Sequence, residues 1–550
     1  MEIEKKWWKE EVIYQIYPRS FQDSNGDGIG DIKGIISRLD YLQSLGVDII
    51  WLGPVYQSPN DDNGYDISDY YSIHPEFGTM ADFDELLKGL KDRNMKLIMD
   101  LVVNHTSDEH QWFKDSRSSE ESPYRDFYFW RKAKNGRPPN NWLSFFGGPA
   151  WKYDSTTDSY YLHLFTEKQP DLNWENPQVR KEIDNIMNFW LERGIDGFRM
   201  DVISLISKRL PFEEAEFTGF GDLVQRYYAN GPRVHEYIND MYNNVLGRYD
   251  IMTVGEGPGI TSEKGLDYVG HDRKELSMIF HLDHMFLGFG PKGRFDPVPY
   301  NWNDIKRIFR EWHDAMGESG WVSIFLDNHD FPRMVSRFGN DTAYRVESAK
   351  LLAMLILTMK GTPCIYQGSE IGMTNMSFQS IKECRDVETL NFHDKFTAEG
   401  MSEEAFLNLA NSYGRDNVRT PVQWDAAPFG GFSQKQPWIN VNPNYKDINV
   451  EAAMGDVHSV YWFYRELLRL RKESKVLQYG EWKEYEPSSP DLYIYTRRLD
   501  DREMRVVLNH TDREIGLDSQ MIEGYNYIFG NYEGRSEMVM HPWECRLYTN

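Results

Sequence analysis

Eight short apolar, β-branched runs, at residues 12–17, 47–52, 96–102, 197–202, 251–256, 276–282, 322–326 and 363–366, punctuate the first two thirds of the chain. Each ends at polar residues or at Gly or Pro, which is how strands buried on both faces read. Between most of them lie stretches of helical period, at 32–45, 81–93, 179–193, 302–316 and 344–359. A strand, a helix and a further strand, repeated, predict parallel βαβ units, because parallel neighbours need a long crossover. Eight such strands fit a closed (β/α)8 TIM barrel better than a doubly wound sheet, which normally uses fewer.

The longest interruption follows the third strand and is dense in Trp, Tyr, Phe, Gly, Pro and Asn. We read it as an insertion domain over 105–174, with the barrel occupying 1–104 and resuming over 175–478. Beyond 478 the pattern changes to short alternating runs such as 492–496 and 504–508, separated by turn residues. The segment 479–550 therefore predicts a small antiparallel β domain of sandwich type.

A formal charge of −25 repels a phosphate backbone, so nucleic acid is not expected as a partner. Three cysteines without CxxC spacing argue against a disulfide framework or a cysteine zinc site. The opening MEIEKKWW has no apolar signal-peptide core, and the longest apolar stretch, 351–359, is too short to span a bilayer. A cytoplasmic chain with no membrane partner is expected. Aromatics at 15% suit flat, amphipathic ligand faces.

In a barrel of this kind the chemistry gathers at the C-terminal ends of the strands. The third run ends at Asp100, Asn104 and His105, the fourth at Arg199 and Asp201, the fifth at Glu256, and the seventh at His329 and Asp330. Arg199 and Asp201, two apart on a strand, share a face, so the guanidinium can hold that carboxylate ionised. Crowding by Asp201 and Asp330 should raise the pKa of Glu256 and keep it protonated. One ionised and one protonated carboxylate, about 5–5.5 Å apart, is the pairing that cleaves a glycosidic bond with retention. A single acidic strand end is commonly a helix cap or a loop ion pair; three of them with an Arg and two His are better read as a site.

At these residues the chain resembles the α-amylase superfamily of glycoside hydrolases, in its oligo-1,6-glucosidase and α-glucosidase subgroup. The resemblance is carried by DLVVNH at 100–105, QPDLN at 169–173, GFRMDV at 197–202, VGE at 254–256, LDNHD at 326–330 and VRTPVQWD at 418–425. It implies that Asp201 is the nucleophile, Glu256 the acid and then the base, and Asp330 the group that stabilises the distorted sugar. It further implies that Asp62, Tyr65, His105, Arg199, His329 and one of Arg415 and Arg419 hold the non-reducing glucose, with Phe146, Phe165 and Gln169 of the insertion in contact. Val202 follows the nucleophile, as in members that cleave α-1,6 links, and is otherwise read as an ordinary strand residue. Gly257-Pro258-Gly259 implies a more open wall on the leaving-group side.

The segment 23–31 places Asp23, Asn25, Asp27, Ile29 and Asp31 at alternate positions around Gly28, like the first half of an EF-hand loop, but with Gly34 where the closing Glu would stand. The resemblance implies a structural Ca2+ there; an Asx-turn loop without an ion is the alternative. No organic cofactor is expected. The expected function is an exo-acting, retaining α-glucosidase that hydrolyses α-1,6 bonds of isomaltose and short isomalto-oligosaccharides, as a monomer. Sucrose isomerase or transglucosylase, trehalose-6-phosphate hydrolase and α-1,4-glucosidase share the machinery, and a non-catalytic carbohydrate-binding relative is the alternative of another class. The stretch 331–341, with Arg333 and Arg337, reads more like the hydrolases than the isomerases, and all three carboxylates of an active enzyme are present.

Overall fold

The computed structural model describes residues 5–485, 487, 489–534 and 536–550; residues 1–4, on which part of the leader-peptide reading rests, lie outside them. All eight predicted runs are strands: β1 (Ile13–Ile16), β2 (Ile49–Leu52), β3 (Lys96–Leu101), β4 (Gly197–Met200), β5 (Met252–Gly257), β6 (Met278–His281), β7 (Ser323–Ile324) and β8 (Thr362–Tyr366). They pair in parallel in the order β6-β5-β4-β3-β2-β1-β8-β7, and a parallel bridge from Ile279 to Val322 closes the ring. Their side chains are almost all buried, because the barrel interior takes one face and the helices the other.

The register of this ring fixes the chemistry at its rim. Asp100 of β3 lies beside Arg199 of β4, and Val254 of β5 beside the same Arg199. Glu256 therefore stands two residues further along, level with Asp201. Close approach at the base of β4 requires Gly197, at φ 146°: a Cβ there would lie 1.9 Å from the Met252 carbonyl oxygen.

The helix expected over 32–45 is two, Ile32–Ser37 and Leu39–Leu45, broken at Arg38. Arg38 turns aside to donate to the Gln22 side chain at 2.6 Å, and its guanidinium lies 4.0 Å from the Trp424 ring. The insertion after β3 holds a helix, Gln111–Ser118, and a three-stranded antiparallel sheet of Trp130–Arg131, Ser159–Leu162 and Trp151–Asp154. Buried Lys208 fastens it to the barrel, donating to Asp171 at 2.6 Å and to Asn104 at 2.7 Å. A second excursion, not anticipated from the sequence, separates β8 from its helix Val460–Glu473 and carries Val387–Ala398, Glu403–Tyr413 and Asp416–Arg419. The C-terminal part forms a five-stranded antiparallel sheet, faced by the short pair Ile515–Gly516 and Val539–Met540 across Leu492, Ile494, Val507 and Leu517. Among the described residues no helix is long and apolar enough to cross a membrane.

Gly197→Ala should force β4 away from β5 and cost on the order of 2–4 kcal/mol. The expected readout is a lower denaturation midpoint, checked by circular dichroism, together with lost activity.

Candidate active site

Arg199 is the centre of the site. Its side chain is 1% exposed, and its two terminal nitrogens meet three carboxylates: Nη1 lies 2.5 Å from Asp100 and 2.8 Å from Asp201, and Nη2 lies 2.7 Å from Glu256. The Trp51 indole N–H donates to Asp100 at 2.7 Å and the Tyr65 hydroxyl at 3.3 Å. Asp201 and Glu256, 55 positions apart by number (256 − 201), thus sit on one guanidinium fork.

Burial raises the pKa of both carboxyls; Arg199 pulls both down, and the neighbouring carboxylates push them up again. Two acids this close release their protons as a pair. The raised Glu256 agrees with the expectation, but Asp201 is raised as well, against the expectation that Arg199 holds it ionised: burial outweighs the guanidinium at Asp201, while Glu256 accepts from Arg199 and also from the Val202 N–H at 3.1 Å.

Val202 is not a strand residue. β4 stops at Met200, and Val202 adopts a left-handed backbone, φ 34° and ψ 41°. A β-branched residue there is strained by about 1–3 kcal/mol. The turn is what aims its N–H at Glu256 while its side chain faces the pocket.

Asp330 has the opposite environment. Burial alone would raise it, but the His329 ring 3.1 Å away, with Arg415 and Arg419 each 3.2 Å from Oδ1, holds it well below the usual carboxylate range. His329 is itself pushed down to about 3 by burial, so it is neutral. The ionised Asp330 can only accept, which places the ring proton on Nε2 and leaves Nδ1 to accept from the Gln15 amide at 2.8 Å. Tyr65 and Tyr17 stack on either side of the ring, with centroids at 5.0 and 6.2 Å.

The two arginines left open by the sequence differ in exposure to the cavity. Arg415 lines it and reaches Asp62 at 3.3 Å, while Arg419 stands behind, donating to the His329 carbonyl at 3.2 Å. Asp386 fixes both, at 2.5 and 3.4 Å. Burial raises Asp62 to about 7 against the pull of Arg415. Gln169 donates to Asp62 at 3.2 Å, and the His105 ring, kept neutral by burial at about 4, lies 3.2 Å from the same amide. Phe146 lies under Arg415 at 4.6 Å, and Phe165 against His105 at 5.0 Å. Asp62, Tyr65, His105, Phe146, Phe165, Asp201, Val202, Glu256, His329, Asp330 and Arg415 share one cavity of ≈ 100 Å³, with Arg199, Gln169 and Arg419 directly behind its wall.

Sequence reasoning passed over Asp386 and Glu388, which position Arg415 and Arg294. Both lie in the excursion after β8, where nothing in the local pattern sets them apart. Asp100 was seen at a strand end, but its pairing with Arg199 needed the register.

At the loop 23–31 the side chains close a ladder of turns. Asp23 accepts from the Gly26 N–H at 2.7 Å and the Gly28 N–H at 2.9 Å, Asn25 from Asp27 at 2.9 Å, and Asp27 from Ile29 at 2.8 Å. Asp31 caps the helix Ile32–Ser37, accepting from Gly34 at 2.7 Å. Among the described residues no three His, Cys, Asp or Glu side chains converge as a metal cage, although the donors of this loop are all oxygen, the chemistry a hard cation requires.

Residues 15–480 match the α-amylase catalytic domain. The chain belongs to this family. It is a glycoside hydrolase, and its relatives share its full length. It is 52% identical to an oligo-1,6-glucosidase of Parageobacillus thermoglucosidasius, covering 99% of each chain, and 53% identical to one of Bacillus cereus, covering 99% of this chain and all of the other. Among solved structures, the trehalulose synthase MutB of Pseudomonas mesoacidophila MX-45 superposes with a TM-score of 0.96 at 41% identity, over 99% of both chains.

The His329 assignment predicts a ring that does not titrate between pH 5 and 9, protonated at Nε2, in histidine-selective nitrogen NMR. A midpoint near 6.5 would contradict it. Because its folded pKa lies below the unfolded value of 6.5, the unfolded chain takes up the proton first, and the stability contributed by the neutral ring is lost as pH falls from 6.5 towards 3.

Proposed function

We propose that the enzyme is an exo-acting, retaining α-glucosidase that hydrolyses α-1,6-glucosidic bonds at the non-reducing ends of isomaltose and short isomalto-oligosaccharides. The observation that carries this reading is the single guanidinium holding two buried carboxylates of raised pKa, beside a third held ionised. In the first step Glu256 gives its proton to the glycosidic oxygen while Asp201 bonds to C1. The leaving alcohol departs, and Glu256, now ionised, takes a proton from the water that cleaves the ester. Asp330, always ionised, accepts from the sugar hydroxyls as positive charge builds on the ring.

The Arg415–Asp62 pair joins the excursion after β8 to the loop after β2 at the wall of a small cavity of ≈ 100 Å³, which supports exo action. Val202, with its side chain at the pocket wall, favours the α-1,6 link. Arg333 and Arg337 donate to the carbonyls of Gln367 (2.5 Å) and Met285 (2.6 Å) and do not line the catalytic cavity, which supports the hydrolase reading over the isomerase one. A phosphorylated leaving group finds Arg294 already paired with Glu388 at 3.1 Å. The same resemblance supports Ca2+ held by Asp23, Asn25, Asp27 and Asp31 with the Ile29 carbonyl, stabilising the loop far from the chemistry.

Three measurements check these readings. Across isomaltose, panose, maltose, sucrose, trehalose and trehalose 6-phosphate, isomaltose should be turned over with the highest kcat/KM; an inert isomaltose beside rapid maltose or sucrose turnover would remove the linkage assignment. Asp201→Asn should lower kcat by at least about 10⁴-fold with the fold intact, and appreciable residual turnover would exclude it as nucleophile. Added Ca2+ should raise the melting temperature and EGTA lower it, whereas identical melting curves would leave the loop without an ion.

A further inference from the structure

We propose that Gln15, inside the barrel, is a positioning residue for the reaction: by donating to His329 Nδ1 it keeps that imidazole neutral with its proton on Nε2, so that Asp330 presents its full negative charge to the sugar. The inference rests on the α-glucosidase reading and adds a residue that does not line the catalytic cavity.

Gln15 stands in β1, level with Trp51 of β2 on one side and Tyr366 of β8 on the other, and is completely buried. Its side-chain nitrogen lies 2.8 Å from His329 Nδ1. The histidine ring is held by its neighbours: Tyr65 and Tyr17 stack on it, and the Trp51 ring meets it edge-on at 5.9 Å. Packing thus fixes where the ring lies and leaves open where its protons sit.

An amide can offer a neighbouring nitrogen either a donor or an acceptor. The side-chain oxygen of Gln15 is buried and has no hydrogen-bond partner among the described residues, an arrangement that costs stability, while its nitrogen is engaged. Turning the amide over would set its oxygen against Nδ1, draw the ring proton there and leave the bare lone pair of Nε2 facing the ionised Asp330 at 3.1 Å. The donor is therefore the half of the amide that the site uses.

A carboxylate at position 15 would do the opposite, because it only accepts, and a ring between two carboxylates takes a second proton. The imidazolium so formed would offset the charge of Asp330, on which the developing positive charge of the sugar depends. Arg199, Arg415 and Arg419 act on the ring in favour of its neutral form, against the pull of Asp330. The phenols of Tyr17, pushed up to about 12, and of Tyr65, raised further by burial, stay uncharged, and the amide of Gln15 adds no charge to this balance. His329 and Asp330 both line the cavity. A glucose hydroxyl seated against them meets one donor and one acceptor, the pair that a hydroxyl can satisfy at once.

The test replaces Gln15 in the full chain by Met, which has similar length and no donor, and by Glu, which accepts. Histidine-selective nitrogen NMR without substrate is read beside kcat and KM on isomaltose. Gln15→Met should give Nδ1 of His329 the signal of an unbonded lone pair and lower kcat by about tenfold. Gln15→Glu should give a ring that carries both protons at about pH 7 and titrates with a midpoint above about 6.5, with kcat lower by at least about tenfold and KM within about threefold of the parent. A Met variant with parental kcat, or a Glu variant whose ring stays neutral at about pH 7, would overturn the role of Gln15. Lower kcat in both variants with unaltered ring signals would mark a merely structural effect and overturn it as well. Failure of the parent to cleave isomaltose would overturn the glucosidase reading, while the ring signals, taken without substrate, still decide on Gln15.

Discussion

The buried guanidinium of Arg199 gathers three anions around it, and two of these are the carboxylates that the chemistry uses. Arg199 meets Asp100, Asp201 and Glu256 at 2.5–2.8 Å. Ion pairs this deep add little net stability, because desolvating the charges offsets most of their attraction. Their value lies in geometry. Asp100, itself held by Trp51 and Tyr65, fixes the fork through Nη1, which also meets Asp201, while Nη2 meets Glu256. The register β3-β4-β5 makes this arrangement unavoidable once the barrel closes.

A second cationic group does a different task a few ångströms away. Arg415 and Arg419 converge on Asp330 and are themselves pinned by Asp386. Three carboxylates on one rim therefore divide by surroundings: two share one guanidinium and are made harder to ionise by burial, and the third is kept ionised by two guanidiniums and a neutral imidazole. The residues that set this division come from the ends of separate strands and from an excursion entered after the last of them. Glycosidic chemistry needs this asymmetry, since identical carboxylates could not be proton donor and nucleophile at once.

Much of this is legible in the sequence. The eight apolar runs gave the barrel because burial on two faces leaves no alternation, and their acidic termini gave the site because strand ends converge on one rim. Asp201 and Glu256 were readable as a pair for that reason. What stayed hidden depended on registers and turns that no local pattern announces. Val202 reads as a strand residue from its β-branched side chain, yet it sits in a left-handed turn that only tertiary packing can impose. Arg415 and Arg419 are four apart and chemically identical, so their division of labour follows from which one faces Asp62. Asp386 lies in an excursion whose composition is unremarkable, and Arg38 breaks a helix of good period because Trp424 and Gln22 offer its side chain better partners than solvent.

The account turns on the fork of Arg199, and replacing it with a side chain of the same charge and one nitrogen tests it most directly. Arg199→Lys can satisfy Asp100 or the pair at 201 and 256, not all three. The expected result is a folded protein, by circular dichroism, whose kcat on isomaltose falls by about 10³-fold. A folded Lys variant with kcat within about tenfold of the parent would contradict the claim that this one guanidinium sets the geometry of the two carboxylates.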